Sequence, residues 1–152
     1  MKLPHPLKYY SKKTYLVVAD GLSAKIYLIY GRRFRLIKQM QEDASLNDIE
    51  HHVISKTPSG QVATIEDENL KERVKIHFLR ELSKSLSQDL KQKIYEQIVL
   101  VISDPEKNIF FKNLHPNVQS TICMIIAKNL TNKHPIDLFK VIDKQRGASF
   151  SS

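Results

Sequence analysis

The sequence predicts an α/β domain: a mixed sheet of five strands in the order 3-2-1-4-5, with helices packed on it. Three observations carry this expectation. Three strand-like runs are separated by two tight-turn signals. An apolar stripe recurs every four residues over a long stretch, and two unbroken apolar runs are each followed by a helix signal.

The elements follow in chain order. Residues 1–13 are polar, basic and proline-containing, and are expected to form a flexible basic arm. Tyr15-Leu16-Val17-Val18-Ala19 is a β-branched apolar run closed by Asp20-Gly21, a strong turn signal. Ala24 to Tyr30 is again strand-like, and Gly31-Arg32-Arg33 turns the chain into a third strand from Phe34 to Met40. Three strands on two tight turns make an antiparallel meander. Residues 41–65 carry no sustained period and read as a mobile loop. Thr64 and Asp67 then resemble a capping box, and Leu70, Val74, Phe78, Leu82, Leu86 and Leu90 draw one apolar stripe along a helix of about six turns.

Ile98-Val99-Leu100-Val101-Ile102 has the pattern of a strand covered on both faces. Asp104 as cap and Pro105 at the first helical position start the next helix, whose inner face is Ile109, Phe110 and Leu114. Ile122 to Ala127 reads as a second buried strand, with the sole cysteine, Cys123, a buried small hydrophobe inside it. A last helix starts near Pro135, and residues 144–152 look like a disordered tail. The order β-β-β-α-β-α-β-α joins a meander to strand–helix–strand units. Right-handed crossovers then give the ribonuclease-H-like sheet order stated above. One domain, residues 14–143, is expected.

The chain has 152 residues, 41% of them hydrophobic, enough for one core and too few for two. One cysteine permits no internal disulfide. No apolar segment approaches a membrane span, and residues 1–6 lack the apolar core of a secretion signal, so a cytoplasmic location is expected. The net charge of +8 is unevenly placed. Residues 1–38 hold nine basic residues and one acid, Asp20; the remainder holds 15 of each sign. A local field of that sign attracts polyanions, with RNA the commonest in a cytoplasm, although a solvated basic face that aids solubility has the same composition. Lys8, Lys12, Lys13, Arg32, Arg33 and Arg35 are the candidate nucleic-acid contacts. Tyr9, Tyr10, Tyr15, Tyr27, Tyr30 and Phe34 lie among them and could stack on bases, but several alternate as sheet-packing residues do.

Five segments in one register resemble the bacterial host attachment proteins ("protein required for attachment to host cells"). They are Tyr15 to Gly21 with Ala24-Lys25-Ile26-Tyr27; Phe78-Leu79-Arg80-Glu81-Leu82 with Leu86; Val99 to Ile102; Ile109 to Leu114; and Ala127-Lys128-Asn129-Leu130-Thr131. That family is similar in fold to the middle domain of archaeal and eukaryotic peptide-chain release factors. Such a domain presents a Gly-Gly-Gln tip between its third strand and long helix. The corresponding loop here carries Ser59-Gly60-Gln61, with serine in place of the first glycine. The resemblance implies a role at a host surface, direct or indirect, or a meeting with the translation machinery. By analogy Gln61, on the backbone freedom of Gly60, would order a water at a peptidyl-tRNA ester.

A ribonuclease-H-like sheet also suits metal-dependent nuclease chemistry, which clusters carboxylates around two ions about 4 Å apart. Asp20 and Asp104 end strands one and four, which this topology allows to run parallel. Turn formation and helix capping account for the same two residues. Glu50-His51-His52 is the only histidine cluster, while His5, His115 and His134 precede prolines and read as loop punctuation. No Cys/His metal spacing, phosphate loop or dinucleotide fingerprint is present, so no metal site and no cofactor are expected. The leading expectation is a non-enzymatic domain that binds RNA or the ribosome through its basic N-terminal region. Ester hydrolysis, nuclease action and adhesion stand as alternatives.

Overall fold

Three strands linked by tight turns open the chain: β1 (Tyr10–Ala19), β2 (Ser23–Gly31) and β3 (Arg33–Gln41). The structure is a computed structural model that describes residues 2–3, 10–42 and 60–150, without the side chains of residues 60–69 and 147–150. The long helix α1 (Gly60–Lys91) follows, then β4 (Gln97–Ile102), α2 (Asp104–Lys112), the single turn α3 (Pro116–Gln119), β5 (Ile122–Ile126) and α4 (Pro135–Phe150). All five strands form one sheet in the order β3-β2-β1-β4-β5. β1 pairs antiparallel with β2 and β2 with β3, while β1–β4 and β4–β5 are parallel. This is the expected mixed sheet.

Its physical basis lies in the two central strands. Alternate residues of β1 and β4 serve opposite faces, and both faces are apolar. Tyr15, Val17, Ala19, Leu100 and Ile102 pack under Phe78, Leu79, Leu82 and Leu86 of α1 and under Phe110, Leu114 and Val118. Leu16, Val18, Val99 and Val101 pack under Leu138, Phe139 and Ile142 of α4. The sheet is therefore sandwiched, with α1, α2 and α3 on one side and α4 on the other. At the β2–β3 turn Gly31 adopts φ 64°, a value that costs a residue with no Cβ little. Among the described residues no helix is long and apolar enough to cross a membrane.

Several boundaries differ from expectation. The sheet claims the last residues of the expected arm, since β1 begins at Tyr10. Leu3 is buried with its N–H on the Arg32 carbonyl at 2.6 Å, and Lys2 bridges Arg33, so residues 2 and 3 are docked on the β2–β3 turn. Helix α1 begins at Gly60 rather than near Thr64, which draws the end of the expected 41–65 loop into helix; residues 43–59 lie outside the described residues. The tail from Lys144 instead continues α4 to Phe150. Cys123 is exposed, not buried. β5 is an edge strand, and the register skips from the Ile98–Ile122 pair to the Val99–Met124 pair, leaving Cys123 as the extra residue in a bulge.

Candidate functional site

The two parallel strands give the molecule two unlike ends. β1 and β4 begin at one end, where β2 finishes, β3 starts and α1 terminates. Lys12 and Lys13 lie there on the opening segment of β1, which bulges between Tyr10 and Thr14. Arg32 and Arg33 sit on the turn next to them, and Arg35 follows two residues along β3. Lys12, Lys13, Arg33 and Arg35 are exposed, whereas Arg32 is half-buried. The bridge to Arg33 brings exposed Lys2 to the same place. Five of the six candidate contacts are thus gathered at one end of the sheet; Lys8 lies outside the described residues.

The remaining early cations do other work. Lys38 faces α1 and pairs with Asp89 at 2.5 Å, so its charge is locally compensated. Lys25 pairs with Val18, toward the far end of the sheet. By contrast, Lys2, Lys12, Lys13, Arg33 and Arg35 form no ion pair with another described residue. Sequence reading missed two further members, Lys91 and Lys93, exposed where α1 closes. Lys93 takes φ 60° while the Ile94 N–H reaches back to the Asp89 carbonyl, a helix-terminating turn that holds both lysines at the basic end. An exposed acid, Glu96, donates its backbone N–H to the Lys13 carbonyl and tempers the field there. The only available signal for the added lysines was that the long helix must run antiparallel to the strand before it in space.

The aromatic candidates sort sharply. Tyr10, Tyr15, Tyr27 and Phe34 are buried, and Tyr9 lies outside the described residues. Tyr30 is 54% exposed. It stands across from Arg33, as Leu28 stands across from Arg35, and these four with Phe34 line an open depression of about 300 Å³.

At the opposite end, Ala19 pairs with Ile102, so Asp20 and Asp104 do leave the sheet from neighbouring parallel strands. Their carboxylates are occupied locally. Asp20 Oδ1 accepts the N–H groups of Leu22 and Ser23 at 2.8 and 2.7 Å, and Thr131 approaches its other oxygen at 3.4 Å. Ser103, not Asp104, holds the N-cap of α2, because Asp104 is already in the first turn; its carboxylate is 68% exposed beside Lys107 at 3.0 Å. Ser103 Oγ donates to Glu106, closing that turn. Burial pushes the Glu106 carboxyl up, but the Ser103 hydroxyl, its own backbone N–H and the Lys75 ammonium outweigh this and hold it below the usual range. Among the described residues no group of three or more His, Cys, Asp or Glu could hold a metal ion. His115 and His134 do more than punctuate: each accepts, through Nδ1, the backbone N–H two residues on, at 3.1 and 3.2 Å, and so caps the helix that its proline opens. Gly60 and Gln61 stand in the first turn of α1, and Ser59, His51 and His52 lie outside the described residues.

No curated protein matches the sequence. Among solved structures, the chain is similar to the archaeal translation termination factor aRF1, with a TM-score of 0.44 and 10% identity over 91% of this chain. The match covers 39% of that protein, so the chain spans well under half its length. The expected likeness to host attachment proteins has no counterpart in these comparisons, and what the sequence matches instead is a release-factor family model. That match runs over residues 13–142, from the first strand into the last helix, and the chain belongs to bacterial archaeo-eukaryotic release factor family 12.

Proposed function

We propose that this release-factor-family domain binds structured RNA, with the RNA of the ribosome the first candidate, through the basic end of its sheet. The observation that carries the reading is the convergence of Lys2, Lys12, Lys13, Arg33 and Arg35 on that end without an ion-pair partner among the described residues. Cations gathered in this way repel one another. A polyanion relieves that repulsion and releases its own counterions on binding, which is favourable at low salt. Membership in a release-factor family supports a partner in the translation machinery. The reading needs no catalytic group and no cofactor. The turn bonds of Asp20 and the pairing of Asp104 with Lys107 give nuclease chemistry no support beyond the strand ends themselves.

The test is binding of purified ribosomes, and of a structured ribosomal RNA fragment, at rising potassium chloride. With about four phosphates contacted, affinity falls roughly a hundredfold between 50 and 200 mM salt. Lys12→Ala with Lys13→Ala weakens binding and makes the salt dependence shallower. Binding that stays flat across that range removes the proposal.

A further inference from the structure

Resting on the RNA-binding reading and deepening it, we infer that Tyr30 and the depression beside it form a stacking seat for an unpaired RNA base, with Arg33 and Arg35 holding the flanking phosphates. The argument begins with where α1 stops. Ala24, Ile26, Leu28 and Tyr30 alternate onto the sheet face that α1 covers, and Ala24 and Ile26 are fully buried there. The last turns of α1 reach Lys38 through Ser85 and Asp89, and Lys38 pairs with Ile26. Beyond that point Leu28 is only half-buried at the rim of the core. Tyr30 is more than half exposed although its strand position is a core position. A large aromatic residue left bare among cations is an amphipathic surface looking for a partner.

The shape and charge of the site narrow that partner. The depression measures about 300 Å³, at the lower end of what small ligands occupy, so it admits a single ring system rather than a helix. Its lining residues are Leu28 and Tyr30 of β2 with Arg33, Phe34 and Arg35 of β3, while the Phe34 ring itself packs on Tyr27 and Phe139 at the other face of the sheet. Arg33 and Arg35 point to the same face two residues apart, roughly 7 Å along the strand. A flat ring on tyrosine with anions on either side is the chemistry of a nucleotide in a strand. A paired base has both faces covered by its neighbours, so only an unpaired base can use the seat. No carboxamide or carboxylate side chain lines the depression to read a base edge, so base identity matters little.

The experiment uses the full chain, a single-stranded oligoribonucleotide with one 2-aminopurine, and a duplex of the same sequence. The single strand binds with quenched 2-aminopurine fluorescence. Tyr30→Phe keeps both the affinity and the quenching. Tyr30→Ala, at an exposed position, leaves the circular dichroism spectrum unchanged, lowers single-strand affinity about five- to a hundredfold, abolishes the quenching and spares duplex affinity. Arg33→Ala with Arg35→Ala weakens both nucleic acids and lowers their salt dependence. If Tyr30→Ala binds the single strand as the parent does, or loses duplex binding equally, the seat is overturned while RNA binding stands. An acidic peptide of matched charge that competes as well as the oligonucleotide also overturns it. If neither nucleic acid binds at all, both readings fall.

Discussion

Tyr15 lies at the centre of the sheet face under α1 and directs its hydroxyl to a buried carboxylate, Asp89 Oδ2, at 2.7 Å. The same oxygen receives Lys38 Nζ, and the Tyr15 ring stacks on Tyr95 with centroids 4.2 Å apart. One polar cluster thus ties β1, β3 and the end of α1 together, with its buried acid satisfied from two sides. Burial, followed by the bond to Asp89 and its charge, pushes the Tyr15 hydroxyl far up; burial likewise raises Tyr95, and raises Tyr10 to about 12. A tyrosine whose folded value lies above its ordinary value of 10.0 contributes stability that is whole below that value. The contribution drains away as pH climbs through the folded value. Stability therefore declines above pH 10, and urea midpoints measured against pH check it. Tyr15→Phe costs about 1.5–3 kcal/mol at neutral pH, the worth of a hydrogen bond to a charged group, and makes the alkaline decline gentler. An unchanged midpoint at neutral pH would remove the cluster from the stability argument. Little of this was legible in the sequence, where Tyr15 and Tyr95 were 80 positions apart and Asp89 was one polar residue on a helix. Asp20 was legible as a turn residue because its role is local, set within three residues. The role of Tyr30 was hidden for a related reason: alternation assigned it to a core face, and only the placing of elements distant in sequence decides that it stays bare.

At the scale of elements, the difference between β4 and β5 shows what a run of apolar residues does and does not specify. Ile98 to Ile102 and Ile122 to Ile126 are nearly alike in composition, and both read as strands covered on two faces. β4 lies between β1 and β5 and is buried from Ile98 to Ile102. β5 is at the edge, where Cys123 and Ile125 reach solvent while Met124 and Ile126 still pack in the α4 cluster. Position in the sheet, not hydropathy, sets burial, and a strand's place in the order is a tertiary fact. Leu100→Ala accordingly costs about 2–5 kcal/mol, a transfer term plus a cavity that neighbours fill only partly. Ile125→Ala, at the position paired with Leu100 across β4–β5, costs under about 1 kcal/mol. Equal losses for the two in denaturant titrations would mean that the edge is covered in solution. Helix boundaries were blurred for a different reason. Ser103, Asp104 and Pro105 each carry start signals, and the choice among them depends on where β4 stops pairing; similarly, Thr64 and Asp67 offer a start that α1 passes over.

For the whole molecule, the sheet order was legible because few topologies fit two tight turns followed by two right-handed crossovers. The same topology turns a charge excess in sequence into a charge excess in space. An antiparallel meander returns its second turn to the end where the first strand began, so Lys12 and Lys13 meet Arg32 and Arg33 although some twenty residues separate them. What the sequence left open was which of nine early cations would remain available, since Lys38 spends its charge on Asp89 and Lys25 lies toward the far end. Polarity of this kind makes a prediction that depends on location, not on net charge. Lys71 and Arg73 are exposed cations in the first half of α1, about 30 Å from its basic terminus at 1.5 Å per residue. Lys71→Ala with Arg73→Ala removes the same two charges as Arg33→Ala with Arg35→Ala. Several Debye lengths separate them from the basic end at physiological salt. The helix pair leaves RNA affinity and its salt dependence within about twofold of the parent, whereas the strand pair lowers the slope of log affinity against log salt by roughly 1.5. Filter-binding titrations of both double variants at four salt concentrations compare them directly. If the two pairs weaken binding equally, attraction is a property of total charge, and the basic end of the sheet has no particular claim to the RNA.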